Sequence, residues 1–410
     1  MTVLEVGVFA GSPAAHAITR QCLAVRLQRL RDIWPQLTVR TRHYVAPTDV
    51  LGFVVVAGET RPVAGRREVV AGAAARDPEL AAAIFCAEVA ERAACAWYVG
   101  SGSLRRCSAD QLVGEGESVF DCAGYVGTLV ASGHAGLAVF DPARSYEWVP
   151  GENLVTGSTV WIPLPLVSPS VPRDRRFCEQ TTIGCAAGGD LDVATSRGLE
   201  ELQERHVLRI AWFLDDPFDE VSPPPGWASL ADADTQTGWT TRFYRATVGP
   251  GRELAVLYSR HRTQPLYTIG SGCGPRTEAW EHAVRETAQA RLVAWLYRHG
   301  PPAVTEIRSY SDRLFWYSCP ERIGCVDRFF DRPATTDAEG SPVAGWFDDG
   351  EILSGAVRLR LLEEPDVNVV RVLSPGLQPL EARHDAARLV GPWCRRHLAE
   401  RLRTAPHPFG

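Results

Sequence analysis

Glu88-Val-Ala-Glu91-Arg92 and Glu201-Leu-Gln-Glu204-Arg205 are the same five-residue pattern written twice in one chain. Side chains at i, i+3 and i+4 share a helix face, so each set aims two carboxylates and a guanidinium the same way. Charges at this spacing ordinarily mark a solvated face. Here the flanks are small or apolar, with Ile84, Ala87, Ala90 and Ala94 around the first set and Leu199, Leu202 and Ile210 around the second. Both helices therefore read as largely buried. A buried carboxylate needs a cation or a paired base, and a hard ion such as Mg²⁺, bridging carboxylates and phosphates, meets that need. A third segment, Glu286-Thr-Ala-Gln289-Ala-Arg291, is a related polar cluster.

Working outward, apolar residues at helical spacing predict helices over Asp77 to Tyr98, Asp190 to Trp212 and Thr277 to Tyr297, the first opened by Asp77-Pro78. Asp190 reads as a helix cap, whereas Asp192, two residues on, points elsewhere around the helix. Upstream, a strand over Val3 to Phe9, a helix over Ala14 to Ile33 and strands over Leu37 to Tyr44 and Val50 to Ala57 form a small α/β lobe, residues 1–65. Downstream, β-rich segments fall at Gly136 to Phe140, Thr159 to Leu164, Leu254 to Tyr258 and Val367 to Leu373, and His384 to Leu402 is helical. Long helices alternating with several strands predict an α+β layered domain over residues 66–410. Asp215 to Gly226, with three consecutive prolines, reads as a surface connection.

Composition narrows the chemistry. The chain has 410 residues, 45% hydrophobic and 22% charged, with a net charge of −6. That balance suits a packed protein and gives no electrostatic footprint for nucleic acid. No apolar run reaches the roughly 18 residues of a membrane span, and no basic flank precedes the N-terminal apolar residues, so a cytoplasmic location is expected. The 11 cysteines include no Cys-x-x-Cys pair and are read as free thiols, Cys185 as packing. His206 is read as a satisfied histidine. All 43 basic residues are arginine, which excludes a P-loop and a pyridoxal Schiff base, since both need lysine.

The residues from about 66 to 410 resemble the YcaO family. Ile84, Glu88, Glu91 and Arg92 look like its Ser-x-x-x-Glu-x-x-Glu-Arg motif, and Ile183-Gly-Cys-Ala-Ala-Gly188 is similar to the lead-in before its second Glu-rich helix, here carrying Glu201, Glu204 and Arg205. Trp148-Val-Pro-Gly151 with Val160-Trp161-Ile-Pro163, the Glu286 to Arg291 cluster and Val370 to Leu380 resemble family segments in the same order. Pro406-His-Pro408-Phe-Gly410 looks like the proline-rich tail of members that form azoline rings.

The resemblance implies a YcaO-like fold of long helices on mixed or antiparallel sheets. It implies ATP and Mg²⁺ as cofactors, with Glu88, Glu91, Glu201 and Glu204 as metal ligands. Those four with Arg92, Arg205, Glu286, Gln289 and Arg291 would bind nucleotide, and Pro406, Pro408 and Gly410 would act catalytically. The implied reaction activates a backbone amide of a ribosomally made precursor peptide and cyclises Cys, Ser or Thr to thiazoline or oxazoline. An amidine- or thioamide-forming enzyme and a non-catalytic peptide-binding scaffold are the alternatives. The scaffold is motivated by Ile84, Gly189 and Val193, where the family has Ser, Asn and Glu. A separate leader-binding, E1-like partner protein is expected, because residues 1–65 are short for the fused modules of some relatives. The reading is compatible with a homodimer.

Overall fold

The computed structural model describes residues 13–45, 52–60, 68–98, 104–129, 137–168, 171, 175–179, 181–228, 230, 234, 237–297, 299, 302–331, 353–389 and 405–409. The predicted strand Val3 to Phe9 lies outside them.

Helix α1 (Pro13–Ile33) leads into strands β1 (Val39–Val45), β2 (Val54–Thr60) and β3 (Val70–Ala75), an antiparallel sheet in the order β1-β2-β3. Position 65, the expected end of the first lobe, falls between two strands of this one sheet. Helix α2 (Pro78–Trp97) follows, started by Asp77, whose carboxylate accepts the Glu79 N–H. Leu23, Leu27 and Leu30 of α1 and the alanine-rich stripe of α2 bury their faces together with β1 to β3. The alanines let helix and sheet approach closely, while Phe85 fills the remaining space.

The next segment is short elements: β4 (Arg105–Cys107), α3 (Ala109–Gly114), α4 (Cys122–Val126), β5 (Thr128–Leu129), β6 (Tyr146–Asn153), β7 (Thr159–Pro163), α5 (Leu164–Val167) and β8 (Cys185–Gly188). The strand expected over Gly136 to Phe140 does not form in the described part, 137–140. One backbone bond, Ala138 N–H to the Arg176 carbonyl, holds it, and Val139 faces solvent, leaving no ladder to join.

Helix α6 (Leu191–Leu214) is capped by Asp190, which accepts the Val193 N–H at 2.7 Å. It precedes β9 (Asp219–Val221), β10 (Trp239–Gly249), β11 (Arg252–His261) and β12 (Tyr267–Pro275), a second antiparallel sheet. The predicted connection Asp215 to Gly226 thus contains an edge strand, β9, paired with β10. Helix α7 (Arg276–Leu296) lies on this sheet. A Cβ at Gly270 of β12 would stand 2.2 Å from the Ala283 carbonyl of α7, so only glycine permits that approach. The chain continues through α8 (Tyr310–Tyr317), α9 (Pro320–Phe330), β13 (Val357–Glu364), β14 (Val367–Leu373) and β15 (Arg388–Leu389). The largest sheet runs β4-β6-β13-β14-β8, with β7 paired to β6. The helix expected from His384 gives way to a 3₁₀ turn at His384–Ala386 and the strand β15, paired with β5; residues 390–404 lie outside the described part. The architecture is α+β with antiparallel sheets, as expected.

Candidate functional site

Helix α2 turns Glu88 toward β3. The Glu88 carboxylate accepts the Gly72 N–H at 2.9 Å and pairs with Arg92 one turn later at 2.5 Å. Gln289 of α7 reaches the same strand from another side, its Oε1 lying 3.2 Å from where a Cβ at Gly72 would be.

The second set is held by a glycine turn and a serine. Gly184 has φ +80°, and a Cβ there would meet the Val372 carbonyl at 2.2 Å, so the lead-in to β8 requires glycine. Its N–H donates to Glu201 at 2.9 Å. Glu204 is 2% exposed and accepts the Ser271 hydroxyl of β12 at 2.8 Å. Ser271 also donates its backbone N–H to Glu286 of α7 at 3.0 Å. Arg205 stands in the middle, 3.4 Å from Glu204, 3.7 Å from Glu286 and 3.9 Å from Glu201. His282 approaches Glu204 at 3.9 Å from the α7 side.

The two sets feel each other. Burial, then the charges of Glu201 and Glu88, push the Glu91 carboxyl well above the ordinary range, with Arg92 opposing. Glu201 and Glu286 are raised too, chiefly by burial, with Glu204 adding repulsion to both and Arg205 opposing. Burial works against the Arg205 charge, yet Glu204, Glu286 and Glu201 more than offset it and hold the guanidinium above its usual value. Glu201 and Glu286 keep 29% and 24% of their side chains in contact with solvent while protein surrounds them, which describes a depression open at one side. Five carboxylates, Glu88, Glu91, Glu201, Glu204 and Glu286, thus share two arginines, and their repulsion adds to burial in raising Glu91, Glu201 and Glu286.

An excess of carboxylate fits a divalent cation. No three His, Cys, Asp or Glu side chains among the described residues already form a metal cage. Mg²⁺ is ordinarily held by one or two carboxylates, with waters and substrate phosphates completing its octahedron, so the arrangement suits a cation that arrives with its nucleotide. The sign of the pH effect follows. Raised carboxyls keep protons that the unfolded chain surrenders, so their stabilising contribution is complete below the ordinary carboxylate range and is lost as pH rises through the raised values. A cation binds the ionised form and displaces those protons. The increase in Tm on adding Mg²⁺-nucleotide is therefore expected to be larger in weakly alkaline than in weakly acidic buffer, as scanning fluorimetry would record. A shift that shrinks with pH counts against the cluster.

The remaining predicted residues go elsewhere. Arg291 does not join the cluster: it pairs with buried Asp234 at 2.7 Å, donates to Thr241 and Ser259, and lies over the Trp239 ring. Pro406 and Pro408 lie away from the carboxylates named above, against Tyr317 and Tyr267. Their carbonyls accept the hydroxyls of Tyr317 and, at 3.1 Å, Tyr267, and Phe409 packs edge-on against Trp212 and Phe329 in the core. Gly410 lies outside the described residues. His206 is interior, its Nδ1 accepting the Gln378 N–H at 2.8 Å. Cys185 is buried as expected, yet its sulfur lies 3.5 Å from Arg371 Nη1, which also reaches Cys95 at 3.4 Å. Ile84 packs against the apolar core, and Asp192 is exposed and paired with Arg358 at 3.4 Å. Sequence reasoning did not single out Ser271 and His282, nor the carboxylate-binding N–H groups of Gly72 and Gly184. Gly184 carried a signal as part of the glycine-bearing lead-in, whereas Ser271 and His282 carried none.

No curated protein matches the chain. Among solved structures it resembles a heterocyclase in complex with substrate and cofactor (TM-score 0.65, 17% identity), covering 87% of this chain and 53% of that one. It therefore spans about half the length of that protein. It also resembles YcaO from Methanopyrus kandleri bound with AMPPCP and Mg²⁺ (TM-score 0.63, 18% identity), covering 91% of this chain and 95% of that one. A third likeness is to the E. coli microcin synthetase McbBCD complex with pro-MccB17 bound (TM-score 0.60, 13% identity), over 87% of this chain and 93% of that one. No helix among the described residues is long and apolar enough to cross a membrane. The family model described as YcaO cyclodehydratase, ATP- and Mg²⁺-binding, matches residues 72–378, and with three quarters of its length so matched the chain belongs to the YcaO family.

Proposed function

We propose that the chain activates a backbone amide of a ribosomally made precursor peptide at the expense of ATP, cyclising Cys, Ser or Thr to thiazoline or oxazoline. The observation that carries the reading is the convergence of Glu88, Glu91, Glu201, Glu204 and Glu286 from three helices on one depression with too few arginines to neutralise them. Mg²⁺-ATP, when bound, supplies the countercharge and an acceptor for the amide oxygen, which leaves as phosphate. The chain's own part is positional. Gly72 and Gly184 fix one carboxylate on each of α2 and α6, Ser271 orients Glu204 and Glu286 together, and Arg205 keeps three acids from separating. A thiol or hydroxyl held against its neighbouring carbonyl gains mostly from proximity. Pro406 and Pro408 are assigned a positioning role through their fixed carbonyls. A cytoplasmic setting and a separate leader-binding, E1-like partner complete the proposal; likenesses to a microcin synthetase complex and to a substrate-bound heterocyclase support it.

The test is peptide-dependent phosphate release from Mg²⁺-ATP, with and without the partner, alongside mass spectrometry for one water lost per ring. Full activity without a partner overturns the partner assignment. Absence of nucleotide binding at millimolar concentration leaves the second reading, a scaffold that presents peptide to an active enzyme. That reading is favoured by apolar Ile84 and exposed Val193, where the family has Ser and Glu.

A further inference from the structure

Beyond the C-terminal end of α2 lies a second cavity, of about 230 Å³, which the carboxylate cluster does not touch. Arg106, Arg144 and Arg175 line it, and none of the three has a carboxylate partner among the described residues. Glu147 also borders it, so the lining keeps a net positive charge on a chain whose net charge is −6. Leu164 and Val171, both buried, form an apolar wall. Tyr98 completes the lining: it is 8% exposed, and its hydroxyl has no hydrogen-bond partner among the described residues. A buried hydroxyl left unsatisfied costs about 1–3 kcal/mol, so it is rare unless a ligand or water completes it.

Unpaired guanidinium forks suit a planar anion taken two-pronged, and the apolar wall suits a hydrocarbon attached to it. We propose that this cavity binds a carboxylate carried on an apolar peptide residue, Tyr98 donating to one oxygen and the arginines embracing the other. The assignment to a peptide rests on the proposed function. Tyr98, the residue that caps the end of α2, follows Glu91 by seven residues, so the anchor lies about 10 Å along the helix axis from the carboxylate cluster. It would fix where the precursor sits without taking part in the chemistry.

The test is calorimetry, without ATP, on the full chain with an acetylated tetrapeptide ending in leucine as free acid and as amide. The acid is expected to bind at least about ten-fold more tightly, and Arg106→Gln/Arg144→Gln, both exposed, to remove that preference. Tyr98→Phe is expected to weaken the acid by roughly three- to ten-fold while leaving Tm unchanged or higher, since the hydroxyl it removes makes no hydrogen bond among the described residues. An amide-capped peptide that competes through an aspartate or glutamate supports the site and names the side chain as its source. Equal binding of acid and amide, an unchanged affinity in the double arginine variant, or displacement by inorganic phosphate at the same concentration as peptide overturns it. Preference for the acid in a chain that fails to bind Mg²⁺-ATP removes the proposed function and leaves this site standing.

Discussion

Glu204→Gln is expected to lower ATP-dependent turnover by roughly 10²- to 10³-fold, the scale on which one preorganised electrostatic group acts, while Tm moves little. Glu204 is all but buried, and its carboxylate takes the Ser271 hydroxyl and faces Arg205 and His282. An amide of the same shape still accepts from Ser271, so packing survives and only the charge is lost. Alanine is a poorer test, because it strands the Ser271 hydroxyl and adds a folding cost to a chemical one. Phosphate release measured beside a circular-dichroism melt separates the two effects. Turnover within a factor of about three of the parent would show that the carboxylate charge at 204 has no part in the reaction.

Arg291→Met is expected to cost about 3–5 kcal/mol, the scale for breaking a buried ion pair from one side, and to leave nucleotide affinity nearly unchanged wherever the protein is folded. Asp234, 2% exposed, would be left as a buried charge, and the hydroxyls of Thr241 and Ser259 would lose a donor. Urea midpoints measure the loss. Arg291→Met/Asp234→Leu is expected to recover most of it, since an apolar pair removes the stranded charge. A large loss of ATP affinity at preserved stability would instead return Arg291 to the nucleotide site, where the family resemblance had put it.

The contrast between Glu204 and Arg291 shows what is legible in a chain. Helix starts are local: Asp77 and Asp190 each bind a backbone N–H within three residues, and both were readable. The acidic faces were readable because spacings of three and four keep side chains together on a helix whatever surrounds it. Arg291 lies five residues beyond Glu286, which turns it about 140° around α7, onto the sheet of β10 and β11. The family pattern preserves the spacing but does not say which partner waits on the far side. Ser271 sits in a glycine-rich strand with no periodicity to single it out, and its role exists only because β12 passes between α6 and α7. The proline-rich tail reads as extended from its local preferences, but nothing local says that Phe409 packs edge-on against Trp212.

Strand β8 pairs with β14, about 180 residues later in the chain, at Cys185 to Gly188 against Asn368 to Arg371. A contact so distant forms only after most of the intervening loop entropy has been lost, which makes such topologies slow to assemble. Because β8 is the step into α6, the acidic depression is expected to assemble late in refolding, after the helices that carry its carboxylates have formed.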